Sequence, residues 1–378
     1  MALKILLVTP LSPFMPQFGG QQRTALLYDA LSEIGQVDVL LLEPGSKLEV
    51  IKVPDTRVVA EAKWRNLPWG IARYRPNKEL TRKINEYLQF SDYDVIVGRY
   101  LYPISKLQLP QNAQTIVDLD DWSYQYKGGA WWSLKGILAS VKSTYAKMLA
   151  RKQLKRFRAF FFVSERDKAS EPAVISELLP NIPFLPPAQP FPQVGSKNIL
   201  FVGALFHGPN KQGIEHFLKY CWPGIIANVP GATLTLVGYA SSSTRVCWEK
   251  HPDVRVYGFV DDLDAVYKNS AFTIAPIYHG GGTNIKILES LAYGRVCITT
   301  ARCANLFAGK LFPSKGIVVA DNDIAWIRNC TKLLLDQEER ANIADGGHAF
   351  VTTHYTKPLF IDTVTRLAKE VAISRRSI

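Results

Sequence analysis

Short apolar runs recur along the chain at intervals that leave room for a helix between them. In the first half they span Lys4 to Val8, Val37 to Leu42, Asp94 to Gly98, Thr115 to Asp118 and Ala159 to Val163, mostly β-branched or aromatic and bounded by Gly, Pro or Asp. The stretch LLPNIPFLPPAQPFPQ, residues 178–193, then places six prolines in sixteen residues, a density that neither a helix nor a central strand tolerates. The alternation restarts beyond it with Asn198 to Gly203, Ala232 to Gly238, Val254 to Tyr257, Phe272 to Ala275, Val296 to Thr299 and Ile317 to Val319. Strands alternating with helices predict parallel sheets covered on both faces, hence an α/β protein of two Rossmann-like domains facing each other across a cleft. The expected division is a first Rossmann-like domain over 1–180, a Pro-rich linker over 181–196 and a second Rossmann-like domain over 197–356. A last helical stretch, about 357–378, is expected to pack back on the first domain.

Composition changes this picture little. A length of 378 residues exceeds what one core usually serves, and 47% hydrophobic with 21% charged residues is ordinary for a globular chain. Cys221, Cys247, Cys297, Cys303 and Cys330 form no CxxC pair, which argues against a disulfide framework or a zinc site and for a reducing compartment. The opening MALKILLVTP reads as a first buried strand, not as a signal peptide, and no apolar run is long enough to span a bilayer. The expected location is cytoplasmic.

Charge adds more. The formal net charge of +12 suits nucleic acid, an anionic membrane or an anionic substrate, and its distribution matters more than its total. Residues 127–158 carry nine Lys or Arg and no acid, and within them Leu134, Ile137, Leu138, Val141, Tyr145, Met148 and Leu149 recur at helical spacing. The plainer reading of that stripe is a helix packed on the core with a solvated basic face. A second basic and aromatic stretch, KWRNLPWGIARYRPNK, runs from Lys63 to Lys78. Trp64 and Trp69, Arg73 and Arg75 there, and Trp131 and Trp132 in the other segment, suit lipid headgroups, so both segments are expected to hold the protein peripherally on the inner face of a membrane.

Two glycine-rich loops precede helical patterns, Gly19-Gly20 after the first strand and Gly280-Gly281-Gly282 after Phe272 to Ala275. Glycine lets backbone approach a ligand closely, and a helix N-terminus offers unpaired N–H groups to a phosphate. After the second loop come Thr283 and Asn284. Lys286 falls in the first turn, and Glu289 follows on the same face, placed to grip ribose hydroxyls. A capped helix with a surface ion pair is the plainer alternative. In DLDDW, Asp118, Asp120 and Asp121 end a strand and could orient or deprotonate an acceptor hydroxyl, or one of them could simply cap a helix. Arg99 ends DVIVG and suits an anionic ligand such as a diphosphate, and His207 follows ILFVG, where a lone His is more often structural than ligand-binding.

The segment from ILFVGALFHGPNKQGIEHF through PGATLTLVG to VRVYGFVDDLDAVYKNSAFTIAPIYHGGGTNIKILESLAYGRVCITT resembles the GT-B fold glycosyltransferases, in particular the retaining glycosyltransferase family 4 group. The likeness covers about 198–300. In the first half it is limited to the first strand with Gly19-Gly20 and to RFRAFFFVSERDK. It implies that Glu289 is the second Glu of an E-x7-E element holding the ribose, and that Lys286 and the backbone from Gly282 to Asn284 lie by the diphosphate. It further implies a donor site that includes Gly19, Gly20, Gly203, His207, Lys211 and Gly281. The chain departs from the pattern at Gly281, eight positions before Glu289, where many members carry the first Glu. It also has Lys211 alone where an R-x4-K pair is usual, and a subgroup shows a similar G-x-x-x-K-x-L-E form.

The expected protein is therefore a retaining transferase that moves a sugar from a nucleoside diphosphate onto a glycan or lipid-linked acceptor, in surface polysaccharide or glycoconjugate synthesis. It needs no cofactor, and because Asp118-Leu119-Asp120 reads as a strand end and not as a metal-binding D-x-D motif, a divalent metal has little support. Two other readings stand beside it. One is a silent nucleotide-sugar-binding protein, suggested by Gly281. The other is a basic nucleic-acid binder, for which no helix-turn-helix, zinc-finger or RNA-binding signature exists, so no nucleic acid is expected. A dehydrogenase lacks its G-x-G-x-x-G after the first strand.

Overall fold

The computed structural model describes residues 2–65, 74–120, 122, 134–172, 174–193, 195–279, 284–307 and 315–373, with the side chains of 134–139 and 306 outside that description. The chain divides into two compact units, Met1–Pro180 with Lys357–Ile378, and Asn181–Thr356. Residues 181–193 belong to the second of them, where Arg295, buried under its sheet, donates to the carbonyls of Phe191 at 2.8 Å and Pro192 at 3.1 Å.

Among the described residues the first unit holds a sheet of β1 (Leu3–Thr9), β2 (Gly35–Gly45), β3 (Glu49–Ile51), β4 (Val58–Arg65), β5 (Val95–Arg99), β6 (Thr115–Leu119), β7 (Ala159–Phe162) and β8 (Ser176–Leu178). Their order is β3-β4-β2-β1-β5-β6-β7-β8, parallel throughout except the β3 edge. The central strands are buried on both faces, which is why they read as continuous apolar runs. Helix α1 (Gly19–Ser32) follows β1, and α2 (Leu134–Leu154) precedes β7.

Two expectations fail here for one reason: an apolar residue's face decides its burial, and composition does not record the face. Trp64 lies on β4, whose burial alternates residue by residue. Its ring is 1% exposed, donating to the Tyr102 hydroxyl at 3.3 Å, while Lys63 beside it points out to Glu43 at 3.0 Å. Trp64 is core, not a membrane anchor. Conversely, the α2 stripe divides. Of its members with described side chains Leu149 packs on the core, whereas Val141, Tyr145 and Met148 are 60%, 42% and 46% exposed. Trp69, Arg73, Trp131 and Trp132 lie outside the described residues.

The second unit's sheet orders β9 (Asn198–Val202), β10 (Thr233–Val237), β11 (Val254–Tyr257), β12 (Phe272–Ala275), β13 (Cys297–Thr299) and β14 (Ile317–Val319) as β11-β10-β9-β12-β13-β14, all parallel. The chain leaves β9 in one direction for β10 and resumes on its other side at β12. Loops depart in opposite senses there, opening a crevice beyond the strands' carboxyl ends. Helix α3 (Gly208–His216) begins over β9, and α4 (Ile285–Ala292) begins over β12. The chain then returns to the first unit as α5 (Lys357–Ile373), which packs on α1 and pairs Lys357 with Asp29 at 2.8 Å.

A buried ionic network joins these pieces of the first unit. Asp118, on β6 and fully buried, accepts Arg23 from α1 at 2.9 and 2.7 Å and Arg99 from β5 at 2.8 Å. Arg99 continues to Asp120 at 2.8 Å. Arg23 also donates to the carbonyls of Leu179 at 2.9 Å and Pro180 at 3.2 Å and lies 5.6 Å from the Phe360 ring of α5. Removing one member of such a network strands charge out of water. Arg99→Ala is accordingly expected to cost about 3–5 kcal/mol in urea unfolding, and a loss under about 1 kcal/mol would show the network to be dispensable.

Candidate active site

The crevice of the second unit is built by close backbone approach. Gly203 ends β9 at φ +156°, and a Cβ there would sit 3.0 Å from Cε of Lys286. Gly238, at φ +139° beyond β10, faces the Gly203 carbonyl so closely that a Cβ would lie 1.9 Å from its oxygen. Only glycine at both positions lets the β9 loop fold down beside α4.

Helix α4 is pinned by its apolar side. Ile287, Leu288 and Leu291 are fully buried, and Ser290 bonds Thr273 of β12 at 2.6 Å. This presents Lys286 and Glu289, one turn apart, to the crevice. Lys286 donates to Asn210 Oδ1 at 3.0 Å, and its ammonium lies 5.4 Å from the Phe201 ring centroid. Asn210, in the first turn of α3, is itself buried and donates to the Ala204 carbonyl at 2.8 Å. The α3 and α4 N-termini meet on this Lys–Asn pair. Among the described residues neither His207 nor Asn284 caps its helix through its side chain, which leaves leading N–H groups for an anion.

The electrostatics match. Burial pushes Lys286 below its ordinary value, opposed by nearby thiols and Glu289. Burial raises Glu289 to about 7 despite the attraction of Lys286. His207, at the α3 N-cap, is lowered by burial and then by the charge of Lys286, so it is neutral at pH 7. Among the described residues the Glu289 carboxylate makes no hydrogen bond. Its neighbours are two rings stacked at 3.9 Å, Tyr267 and Tyr293, the latter donating to Asp264 at 3.0 Å. A half-buried acid without a donor is poised to receive hydroxyls.

The expected residues fall into four groups. Gly203, His207, Lys286 and Glu289 belong to this crevice with Asn284, the α4 N-cap, whose amide nitrogen lies 3.1 Å from the Cys303 sulfur. Lys211 does not join them: it faces outward, 3.9 Å from Glu215 along α3, and the buried Asn210 holds the place beside Lys286. Gly281, Gly282 and Thr283 lie outside the described residues, as do Gly280 and Asp121.

In the first unit Gly19 and Gly20 open α1 beyond β1, at that sheet's own reversal between β1 and β5. A Cβ on Gly20 would fall 2.9 Å from Leu11 and 3.6 Å from the Tyr100 hydroxyl. Asp118 and Arg99 are corrected: both are fully buried and spent on one another, so they hold α1 in place and are closed to substrate. Asp120 is 8% exposed and paired with Arg99. Sequence reading missed Asn210, Gly238 and the Tyr267–Tyr293 stack. Among the described residues no group of three His, Cys, Asp or Glu is arranged to hold a metal.

Residues 196–336, nearly the whole second unit, match the family model described as glycosyl transferases group 1. Sucrose-phosphate synthase from Thermosynechococcus elongatus superposes with a TM-score of 0.69 at 17% identity, over 98% of this chain and 100% of that one. WaaG, a glycosyltransferase involved in lipopolysaccharide biosynthesis, does so with 0.64 at 13%, over 97% and 99%. An uncharacterized 44.6 kDa protein in the cps region of Klebsiella pneumoniae is 26% identical over 114 residues. That match covers 28% of this chain and spans 29% of the Klebsiella protein's length. The fold is that of the GT-B glycosyltransferases. The match to the group 1 glycosyltransferase model lies within the second unit.

The raised Glu289 value has a consequence for stability. A carboxyl that titrates near 7 folded and near 4.5 unfolded binds its proton more tightly in the native state, so its stabilising contribution is full below 4.5 and is lost as pH rises to 7. The loss is on the order of 3 kcal/mol. Glu289→Gln should therefore melt higher than the native chain at pH 7.5 and level with it near pH 4.5. Equal melting at both pH values would mean that the carboxyl is freely solvated.

Proposed function

We propose that this protein transfers a sugar, with retention at the anomeric carbon, from a nucleoside diphosphate sugar to a hydroxyl of a glycan or lipid-linked acceptor, in bacterial surface polysaccharide or glycoconjugate synthesis. The observation that carries the reading is the convergence of Lys286, Asn210 and two uncapped helix N-termini beside the glycine-lined end of β9, with the bare Glu289 carboxylate one turn further on. Diphosphate oxygens accept from the leading amides of α3 and α4 and from Lys286. Ribose hydroxyls donate to Glu289. As the glycosidic bond to the diphosphate breaks, charge grows on the leaving oxygen, and donors already aimed at it stabilise that charge without reorganising. Positive charge from Lys286 and the helix ends can fill the role a divalent ion would otherwise take, so turnover should persist in a chelator.

The acceptor class is supported by the capsule-region relative and the lipopolysaccharide-related structure, and retention by the family 4 resemblance. A second reading, a nucleotide-sugar-binding protein without turnover, is favoured by Gly281 alone. With no carboxylate there, the donor sugar must be held by other groups.

Release of nucleoside diphosphate from a panel of UDP-, GDP-, ADP- and dTDP-sugars, with glycan and lipid-linked acceptors, separates the two. One donor should turn over, and a donor that binds tightly yet never releases product with any acceptor would establish the silent protein. Lys286→Ala should weaken nucleoside diphosphate about tenfold to a hundredfold while sparing the nucleoside, because a charge-assisted bond to phosphate is what it removes. Equal losses for both ligands would place Lys286 away from the phosphates.

A further inference from the structure

Helix α3 has a second face that the proposed function does not use. Asn210 turns toward Lys286, whereas Pro209, Gln212, Gly213 and His216, at i, i+3, i+4 and i+7, turn toward the segment leaving β12. Gly213 sets the approach, since a Cβ there would run into the Pro276 carbonyl oxygen. Beside that contact the same four residues, with Tyr278 and His279, line a cavity of about 180 Å³. That is below the roughly 300 Å³ at which pockets for drug-sized ligands begin, and it suits one pyranose ring. At its far end α3 runs into one turn of π-helix, Phe217–Cys221, a form frequent at functional sites. Phe217, Leu218 and Cys221 are buried there, and Tyr220 is half exposed. The His216 ring has Tyr220 at 4.8 Å and Tyr278 at 5.2 Å as neighbours, and its Nε2 lies 2.7 Å from Oδ1 of Asp323, which opens the helix Asp323–Leu335.

The Asp323 carboxylate fixes the Nε2–H tautomer of a neutral His216 and leaves a lone pair on Nδ1. Among the described residues that Nδ1, the Gln212 amide and the His279 ring make no hydrogen bond. The nearby cations are turned elsewhere, Lys211 toward Glu215 at 3.9 Å and Lys219 onto the Tyr220 ring at 4.8 Å. An anion gains little in such a groove, and a purely apolar ligand leaves its amide and imidazole edges unpaired. A neutral pyranose matches it: one C–H face rests on an aromatic ring while the hydroxyls both give and take hydrogen bonds. We propose that the groove between α3 and the β12 exit binds an uncharged sugar unit of a glycan chain, apart from the donor crevice. Gln212 and Nδ1 of His216 bond its hydroxyls, and Tyr220 stacks the adjoining unit. This rests on the reading of a glycan acceptor and extends it, so that α3 serves the diphosphate at its start and the glycan along its flank.

Saturation-transfer NMR of the full chain tests the assignment, with glucose, galactose, mannose, N-acetylglucosamine and their linear oligomers as probes. At least one oligomer should bind at millimolar concentration. Its signal should survive an excess of UDP, GDP, ADP and dTDP together, because the groove stands apart from the diphosphate site, and should survive high salt, because the ligand is uncharged. The double variant Q212A/Y220A, altered only at exposed positions, should bind that oligomer about tenfold more weakly with unchanged melting. Its affinity for nucleoside diphosphates and their sugars should equal that of the native chain, so a failure of the groove and a failure of the donor site read out separately. Absence of binding by every oligomer overturns the inference, as does displacement of the bound one by the nucleoside diphosphates or native-like oligomer binding by Q212A/Y220A. Loss of nucleotide-sugar affinity in that variant would make the groove part of the donor site, and dissociation of a dimer in light scattering would assign it to a second copy of the chain. Either result also overturns it.

Discussion

Burial of Lys286 and Glu289 on one short helix is the constraint on which the second unit's chemistry depends. The apolar side of α4 is sunk so completely, through Ile287, Leu288 and Leu291, that the polar side cannot withdraw into solvent. Lys286 answers desolvation by bonding Asn210, and Glu289 answers it by holding its proton up to about pH 7. Both responses cost stability that a ligand can return, which is the usual condition of groups kept for binding.

The first unit gives the contrast. Its charges are more deeply buried, yet Arg23, Arg99, Asp118 and Asp120 satisfy one another within 3 Å and leave nothing to offer a substrate. The network fixes α1 and its glycine start against β5 and β6, and it ties the exit at Leu179 and Pro180 and the returning α5 to the same point. Its role is to position these elements. Satisfaction, not burial, is what separates the structural ions of one unit from the candidate functional ions of the other.

The sheets were legible because strands buried on both faces carry near-continuous apolar runs, as ILLV of β1, VIVG of β5 and ILFV of β9 do. Glu289 and Lys286 were legible because glycines precede them and their spacing puts them on one helix face. What escaped depended on partners or on facing. Asp118 at a strand end reads as a cleft carboxylate until Arg23, distant in sequence, arrives beside it. Trp64 between Lys63 and Arg65 reads as a headgroup anchor until the two-residue period of β4 turns it inward. On α2 two apolar rows lie on opposite sides, and periodicity alone does not say which one meets the core. Asn210 carries no signal of its own, since an asparagine in a first helical turn is unremarkable until a lysine is seen to donate to it.

The central claim is that Glu289 receives the donor's ribose. Hydroxyls donating to its carboxylate favour the charged form, so binding must lower its value from about 7 and expel a proton near neutral pH. Calorimetric titration of the preferred nucleoside diphosphate in buffers of different ionisation enthalpy measures that proton directly. The account predicts net release at pH 7 from the native chain and none from Glu289→Gln. Equal proton release from both would contradict it.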